Sequence, residues 1–495
     1  MLIYLDRELD LDQLVDIARR GQAVALSDQY RARVQAGRAA VLKVVKQRRP
    51  VYGVTTGFGV LCDRAIPPAD AAQLQQNILR SHATAVGAPL TAEQTRAVMV
   101  LMLQNCGTGH SGIGLEVLEQ LVRYLNEGLV PWAPAQGSVG YLSVEAHIAL
   151  TLIGEGQFWG ADGRPTAAAT QLQARGIEPV VLGPKEGLSL ISGTTSPCAL
   201  GCLALHDMLL CLQAADCIGT LSLEVLGGTD RAFDRRLMEL RRHPTQWESA
   251  RRVRAVLQGS ARVEAARRTT LQDAMSLRCI PQLHGAVAET LLHARTVLER
   301  ELCSCCDNPA VFWEEDTVIS GCNPDSSFVG LCMDSACTAA VMLAKMSERR
   351  TDRLLSGKGG LPPFLTAAAG LCSGFMGLQY TQAGLLGDMR QQCHPASVDS
   401  VPTCGGQEDY VAMGYNSAKR SLDIAQKLAW VLATELLCVL QANYLKGDDL
   451  PSAPYLTKLR EALNGAVPGF DGDELFAPYV QLLADFILAG KMPAV

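Results

Sequence analysis

Apolar residues recur at helical spacing from Leu11 onward, and three stretches are apolar on nearly every face. The first runs from Ser143 to Ile153 and stops at Gly154 and Gly156, which predicts a helix with a glycine C-cap. The second runs from Pro197 to Leu226, with Ser196 placed to cap it and Pro197 at its first turn. The third covers Ser421 to Leu445. A helix without a polar face is a buried helix. His206, Asp207, Asp216 and Glu224 interrupt the second run, and Asp423, Lys427 and Glu435 interrupt the third. Both therefore read as inner helices of a bundle rather than membrane spans. Such helices need partners on every side, so subunit interfaces are expected to cover them.

No linker, repeat or low-complexity block divides the 495 residues. One continuous unit, 1–495, is expected, with 1–195 carrying the candidate loops and 196–495 the central helices. Apolar residues make up 48% of the chain but aromatics only 5%, so the core is Leu, Ala and Val, which favours packed helices over sheets. A net charge of -6 speaks against nucleic acid as a partner. The 17 cysteines are an odd number scattered through apolar segments, and Asp6 and Arg7 bring charge too early for a secretory signal. Reduced thiols and a cytoplasmic location are expected. Cys303-x-x-Cys306 has no second spaced pair, so no metal site is expected there. The arginines between Arg241 and Arg268 read as a solvated helix face paired with Glu239, Glu248 and Glu264, or as a patch for an anionic partner.

Five stretches carry candidate chemistry. In Gly137-Ser138-Val139-Gly140, the end glycines allow close backbone approach to a ligand, and the run feeds a buried helix, which suits an active-site floor. Tyr52-Gly53-Val54-Thr55-Thr56-Gly57-Phe58-Gly59 reads as a mobile lid carrying a phenol, or as a surface turn with a packed tyrosine. A phenol with a pKa of about 10 needs a neighbouring positive charge to act as a base near neutral pH. His82, at the end of the Asn77-Ile78-Leu79-Arg80-Ser81 stretch, is a hydrogen-bonded core histidine or a reader of a ligand. Arg278, in Gln272-Asp273-Ala274-Met275-Ser276-Leu277-Arg278, needs a planar anion: a substrate carboxylate, or an internal partner such as Asp273 or Glu408. Glu408, in Gln407-Glu408-Asp409, either meets a hydrogen-bond donor such as an imidazole or closes a buried ion pair.

Together these strings resemble the histidine and aromatic amino-acid ammonia-lyases. The family's loop reads Gly-Ser-Val-Gly-Ala-Ser-Gly-Asp-Leu-x-Pro-Leu-Ala-His, and its Ala-Ser-Gly triad condenses into methylidene-imidazolone (MIO), the electrophile that attacks the substrate. Gly137 to Gly140, Leu142 and Ala146-His147 match that loop. The Tyr52 string matches the family's Tyr-Gly-x-Asn-Thr-Gly-Phe-Gly, whose tyrosine is the base. Ser81-His82 matches the position that meets the substrate side chain, Arg278 the carboxylate anchor, and Gln407-Glu408-Asp409 the histidine-specific form. The resemblance implies an all-α fold with a long central helix bundle, a homotetramer with composite active sites, and a small amino-acid substrate bound by His82, Ser192, Gln272, Arg278, Gln407 and Glu408.

The departures fall on one side of the chemistry. Tyr141 follows Gly140 directly, so the triad is missing, and MIO is expected only with an Ala-Ser-Gly triad between these two residues. Ser192 replaces an asparagine that bonds to the ring, Met275 replaces a phenol, Met389 replaces another asparagine, and Pro324 replaces a phenylalanine. Groups that hold an amino acid remain, while groups that support the ring have changed. The reading that follows is a carbon–nitrogen lyase or aminomutase acting on histidine or a related polar or aromatic α-amino acid, with Tyr52 and Tyr141 catalytic. Its chemistry would be altered, for example to trimethylamine elimination from a histidine-like betaine. The alternative is a silent homologue that binds an amino acid or assembles with an active paralogue. Tyr141 is expected to fill the space left beside Ser192 and Met275.

Overall fold

The computed structural model describes residues 2–447 and 449–495. About 60% of the chain is helical, and among the described residues the strands form four two-stranded sheets. Seven helices matter for the site: α1 (Ala71–His82), α2 (Ser143–Leu150), α3 (Glu186–Ile191), α4 (Thr195–Val225), α5 (Ile280–Leu302), α6 (Ser327–Leu355) and α7 (Gly414–Leu445).

The helix expected from Ser143 is α2, followed by a 3-10 turn over Thr151–Ile153 that ends on Gly154 at φ 80°. That left-handed cap suits glycine, which has no Cβ to clash. Helix α4 starts at Thr195, one residue before the expected cap. Helix α7 begins at Gly414, earlier than Ser421, because the added turns are themselves mostly buried. Glu186–Val225, Ser327–Leu355 and Gly414–Leu445 are long and apolar enough to cross a membrane, yet 72%, 67% and 78% of their most apolar windows are buried within the protein. Most of their apolar surface is satisfied by packing within the chain.

The chain forms two compact units. The first comprises Met1–His206, Arg295–Asp334 and Pro395–Arg420; the second comprises Asp207–Ala294, Ser335–His394 and Ser421–Val495. The first boundary falls inside α4, beyond the division at 195/196 that the sequence suggests.

In the first unit α1, α2 and α3 pack against one another. Gly187 makes this possible, because a Cβ there would lie 2.4 Å from the Gln75 carbonyl oxygen. The strand Val86–Pro89 pairs antiparallel with Pro134–Gln136, which sets the chain beyond His82 beside the start of the Gly137–Gly140 run. In the second unit Leu223, Phe233, Val253, Leu257, Leu277 and Ile280 form a core. A buried ion pair joins Arg350 Nε to Glu435 Oε1 at 2.5 Å, and Ser222 Oγ donates to the same oxygen. The arginine stretch is paired at its surface: Arg251 and Arg252 with Glu248, and Arg267 with Asp230.

Candidate active site

In the first unit, distant stretches converge on the Glu408 carboxylate. Its Oε2 accepts hydrogen bonds from the Tyr141 hydroxyl at 3.2 Å and from Thr403 Oγ1 at 2.7 Å. Thr403 N also donates to the Glu408 carbonyl at 2.8 Å, closing a tight turn around Cys404, Gly405 and Gly406. This turn presses on the Tyr52 loop: a Cβ on Gly59, which has φ 54°, would lie 2.2 Å from Cys404 Sγ.

Gly59 N donates to the Tyr52 hydroxyl at 2.9 Å, and the Tyr52 ring meets Phe58 edge-on. Gly57 N donates to Arg64 O and Ile66 N to Thr55 O. The expected mobile lid is thus tied by its own backbone bonds. Burial raises the Tyr52 phenol above its ordinary pKa, and Cys404, Glu408 and Cys62 push the same way against the opposing Gly59 bond. The positive charge that a base at this position needs is not among these influences. Tyr141 is likewise raised, first by burial and then by Glu408. Both phenols carry their protons at neutral pH.

The loop around Tyr141 is anchored at several residues. Gly140 N donates to Ser138 Oγ, Ser138 Oγ donates to Tyr141 O, and Leu142 N donates to Ile191 O at 3.1 Å. Leu142 holds φ 74°, an unfavourable value for a branched side chain, at the point where the short loop turns into α2. Tyr141 does not use its hydroxyl on Ser192, as its expected place beside that residue would allow. The phenol goes to Glu408, and Ser192 is bonded elsewhere. Ser192 Oγ accepts from Asn308 N at 3.1 Å and its carbonyl accepts from Asn105 Nδ2 at 3.1 Å. Beneath it, Lys185 Nζ pairs with Asp307 at 2.7 Å, both side chains being fully buried. Ser192 is part of the framework.

His82 ends α1, and its Nδ1 lies 2.9 Å from Ile78 O and 3.0 Å from Ser81 Oγ. No hydrogen bond joins it to Glu408 among the described residues; Tyr141 and Thr403 donate to that carboxylate. Gln407 is exposed at the rim of the Glu408 turn.

The second unit holds the other candidates together. Met275 and Arg278 bracket a single helical turn, Met275–Arg278, set on the core by Leu277. Arg278 Nη2 lies 3.1 Å from Met275 Sδ. With its amide oxygen turned to the guanidinium, Gln272 accepts from Nη1 and Nη2 at 3.2 and 3.0 Å. Asp273 is not the internal partner that one reading allowed, since its carboxylate accepts from Thr229 N and Oγ1. Arg278 has no carboxylate partner among the described residues, and its Nε is buried without a hydrogen bond. It is half-buried, and Met275 is 59% exposed.

The sequence reading passed over Thr403 and Glu145. Thr403 carried no signal. Glu145 did: it is a carboxylate in an apolar helix where the family's motif has leucine.

The residues present do not fit the MIO ring. That group is made from the chain's own Ala-Ser-Gly, and no such triad occurs anywhere in the 495 residues. The place where it would stand is the bonded junction of Gly140 and Tyr141.

The model of the family described as aromatic amino acid lyase matches residues 9–465. The chain is 40% identical to a histidine ammonia-lyase of Symbiobacterium thermophilum over 99% of this chain and 97% of that one. The fold is similar to a tyrosine aminomutase from Streptomyces globisporus, with a TM-score of 0.95, 33% identity, and coverage of 99% of this chain and 98% of that one. It is also similar to the ergothioneine degrading enzyme ergothionase from Treponema denticola, with a TM-score of 0.92, 25% identity, and coverage of 100% of each chain. The chain belongs to the aromatic amino acid lyase family.

Proposed function

We propose that the chain is a carbon–nitrogen lyase that acts on a histidine-type substrate without an internally formed ring. The observation that carries this reading is the direct Gly140–Tyr141 junction, with the phenol bonded to Glu408. Arg278 would take the substrate carboxylate through its two-pronged fork. Glu408, steered by Tyr141 and Thr403, would accept from an imidazole N–H, with His82 and Gln407 completing the side-chain site and Gln272 orienting Arg278. Tyr52 would remove the β-proton.

The leaving group follows from this chemistry. Elimination breaks the Cβ–H bond, forms a double bond between Cα and Cβ, and sends the Cα–N electron pair out with nitrogen. A free amine is a poor leaving group, whereas a trimethylated nitrogen departs as neutral trimethylamine without further activation. Its fixed positive charge would also lower the pKa of the Tyr52 phenol, which has only raising influences from the charged groups around it. The likeness to a solved ergothioneine degrading enzyme supports a substrate other than histidine itself. We propose a homotetramer with composite sites as the working form. The stripe of Phe328, Leu331 and Met342 on α6, exposed by 72%, 61% and 49%, supports subunit contacts there.

The test is turnover of histidine and of its trimethyl betaine, followed by the ultraviolet absorbance of the acrylate product and by the amine released. Betaine turnover without histidine turnover is the expected result. Ammonia release from histidine overturns the ring-free reading, and binding without turnover of either restores the silent homologue.

A further inference from the structure

Glu145 is a carboxylate inside the apolar helix α2, and it is 0% exposed. Its Oε1 accepts from Thr195 Oγ1 at 2.8 Å and from the backbone N of Ser196 at 3.0 Å, both in the first turn of α4. A buried carboxylate is costly unless its charge is met. Here a hydroxyl, a backbone amide and the positive end of a 31-residue helix meet it at Oε1, while Oε2 is buried without a hydrogen bond. Burial nonetheless raises its pKa.

The position matters because α2 starts two residues after Tyr141. Ala146 N donates to Leu142 O and Ser143 N to Tyr141 O, so the first turn of α2 carries the Tyr141 backbone with it. A loop three residues shorter than the family's has little slack with which to aim its side chain. Apolar contact alone tolerates sliding; two directional hydrogen bonds do not.

We infer that Glu145 is a positioning residue: by clamping the first turn of α2 to the first turn of α4, it holds the short loop where the Tyr141 phenol reaches Glu408. The inference deepens the proposed lyase reading, on which only its activity test rests.

Two mutant cycles on the full chain decide it, pairing Glu145→Leu with Tyr141→Phe. In the stability cycle, read as urea midpoint, Tyr141→Phe lowers the midpoint of the native chain and causes no further loss once Glu145 is leucine. In the activity cycle each single substitution lowers kcat about tenfold, and the double variant is no worse than either. Glu145→Gln keeps an acceptor oxygen for Thr195 and Ser196 and restores the Tyr141→Phe effect in both cycles. Additive losses in the two cycles, or native kcat in Glu145→Leu, overturn the clamp. If Glu145→Leu does not fold, Thr195→Val, which removes one of the two bonds, takes its place. A native chain that turns over nothing overturns the lyase reading, while the stability cycle still decides the clamp.

Discussion

The Tyr141 hydroxyl donates to Glu408 Oε2 at 3.2 Å across 267 residues of sequence. One residue stands where the family's loop carries its triad, and the other belongs to the histidine-specific string. Their bond joins the most altered part of the family pattern to one of its retained parts. Removing the hydroxyl frees a partly buried carboxylate of one of its two donors. Tyr141→Phe is expected to lower kcat/KM about tenfold, in line with the loss of one hydrogen bond to a charged group. Steady-state kinetics on the betaine check this.

The encoded mass is a second test, since ring formation expels two waters. The intact chain is expected at its unmodified 53.0 kDa with no dehydration. High-resolution mass spectrometry reads this directly, and a deficit of two waters would contradict the ring-free loop.

Tyr52→Phe is expected to lower kcat by about a hundredfold or more, the scale of a lost general base, while ligand affinity changes little. Burial raises the Tyr52 phenol, so the free enzyme holds it protonated at neutral pH. The kcat/KM profile, which reports free-enzyme groups, should therefore climb on the alkaline side. That limb should disappear in Tyr52→Phe.

Arg278 presents a guanidinium bonded only to Gln272 and Met275 among its described contacts. An ammonium cannot reproduce its fork. Arg278→Lys is expected to raise KM by about tenfold to a hundredfold with a smaller change in kcat.

A pH-dependent loss of stability resides in the second unit. His284 is fully buried, with Nδ1 2.9 Å from Asp216 Oδ1, and Asp216 also accepts from Ser249 and Arg252. Burial lowers the His284 pKa below 6.5, outweighing the Asp216 bond. As pH falls through 6.5 the unfolded chain takes up a proton that the folded one still refuses, so stability declines. Asp216, held below 3.8 by His284, Ser249 and Arg252 despite burial, adds a second loss as pH falls through that value. His284→Gln should flatten the first decline, measured as urea midpoints on either side of pH 6.5.

What the sequence alone determined is local. The apolar run from Ser143 and the glycine at 154 specified α2 and its end, because helical periodicity and capping depend on residues a few positions apart. The motif strings likewise placed the chain in its family, and the missing triad was legible by its absence. Partner choice was not legible. Glu408 takes Tyr141 and Thr403 while His82 turns back to its own helix, and Ser192 binds Asn308; packing brings Tyr141 to Glu408 and Asn308 to Ser192 across long separations, and polar atoms out of water bond to the partners within reach. Glu145 read as an oddity in an apolar helix; only the approach of α4's first turn supplied the amide and hydroxyl that let a carboxylate stay buried there.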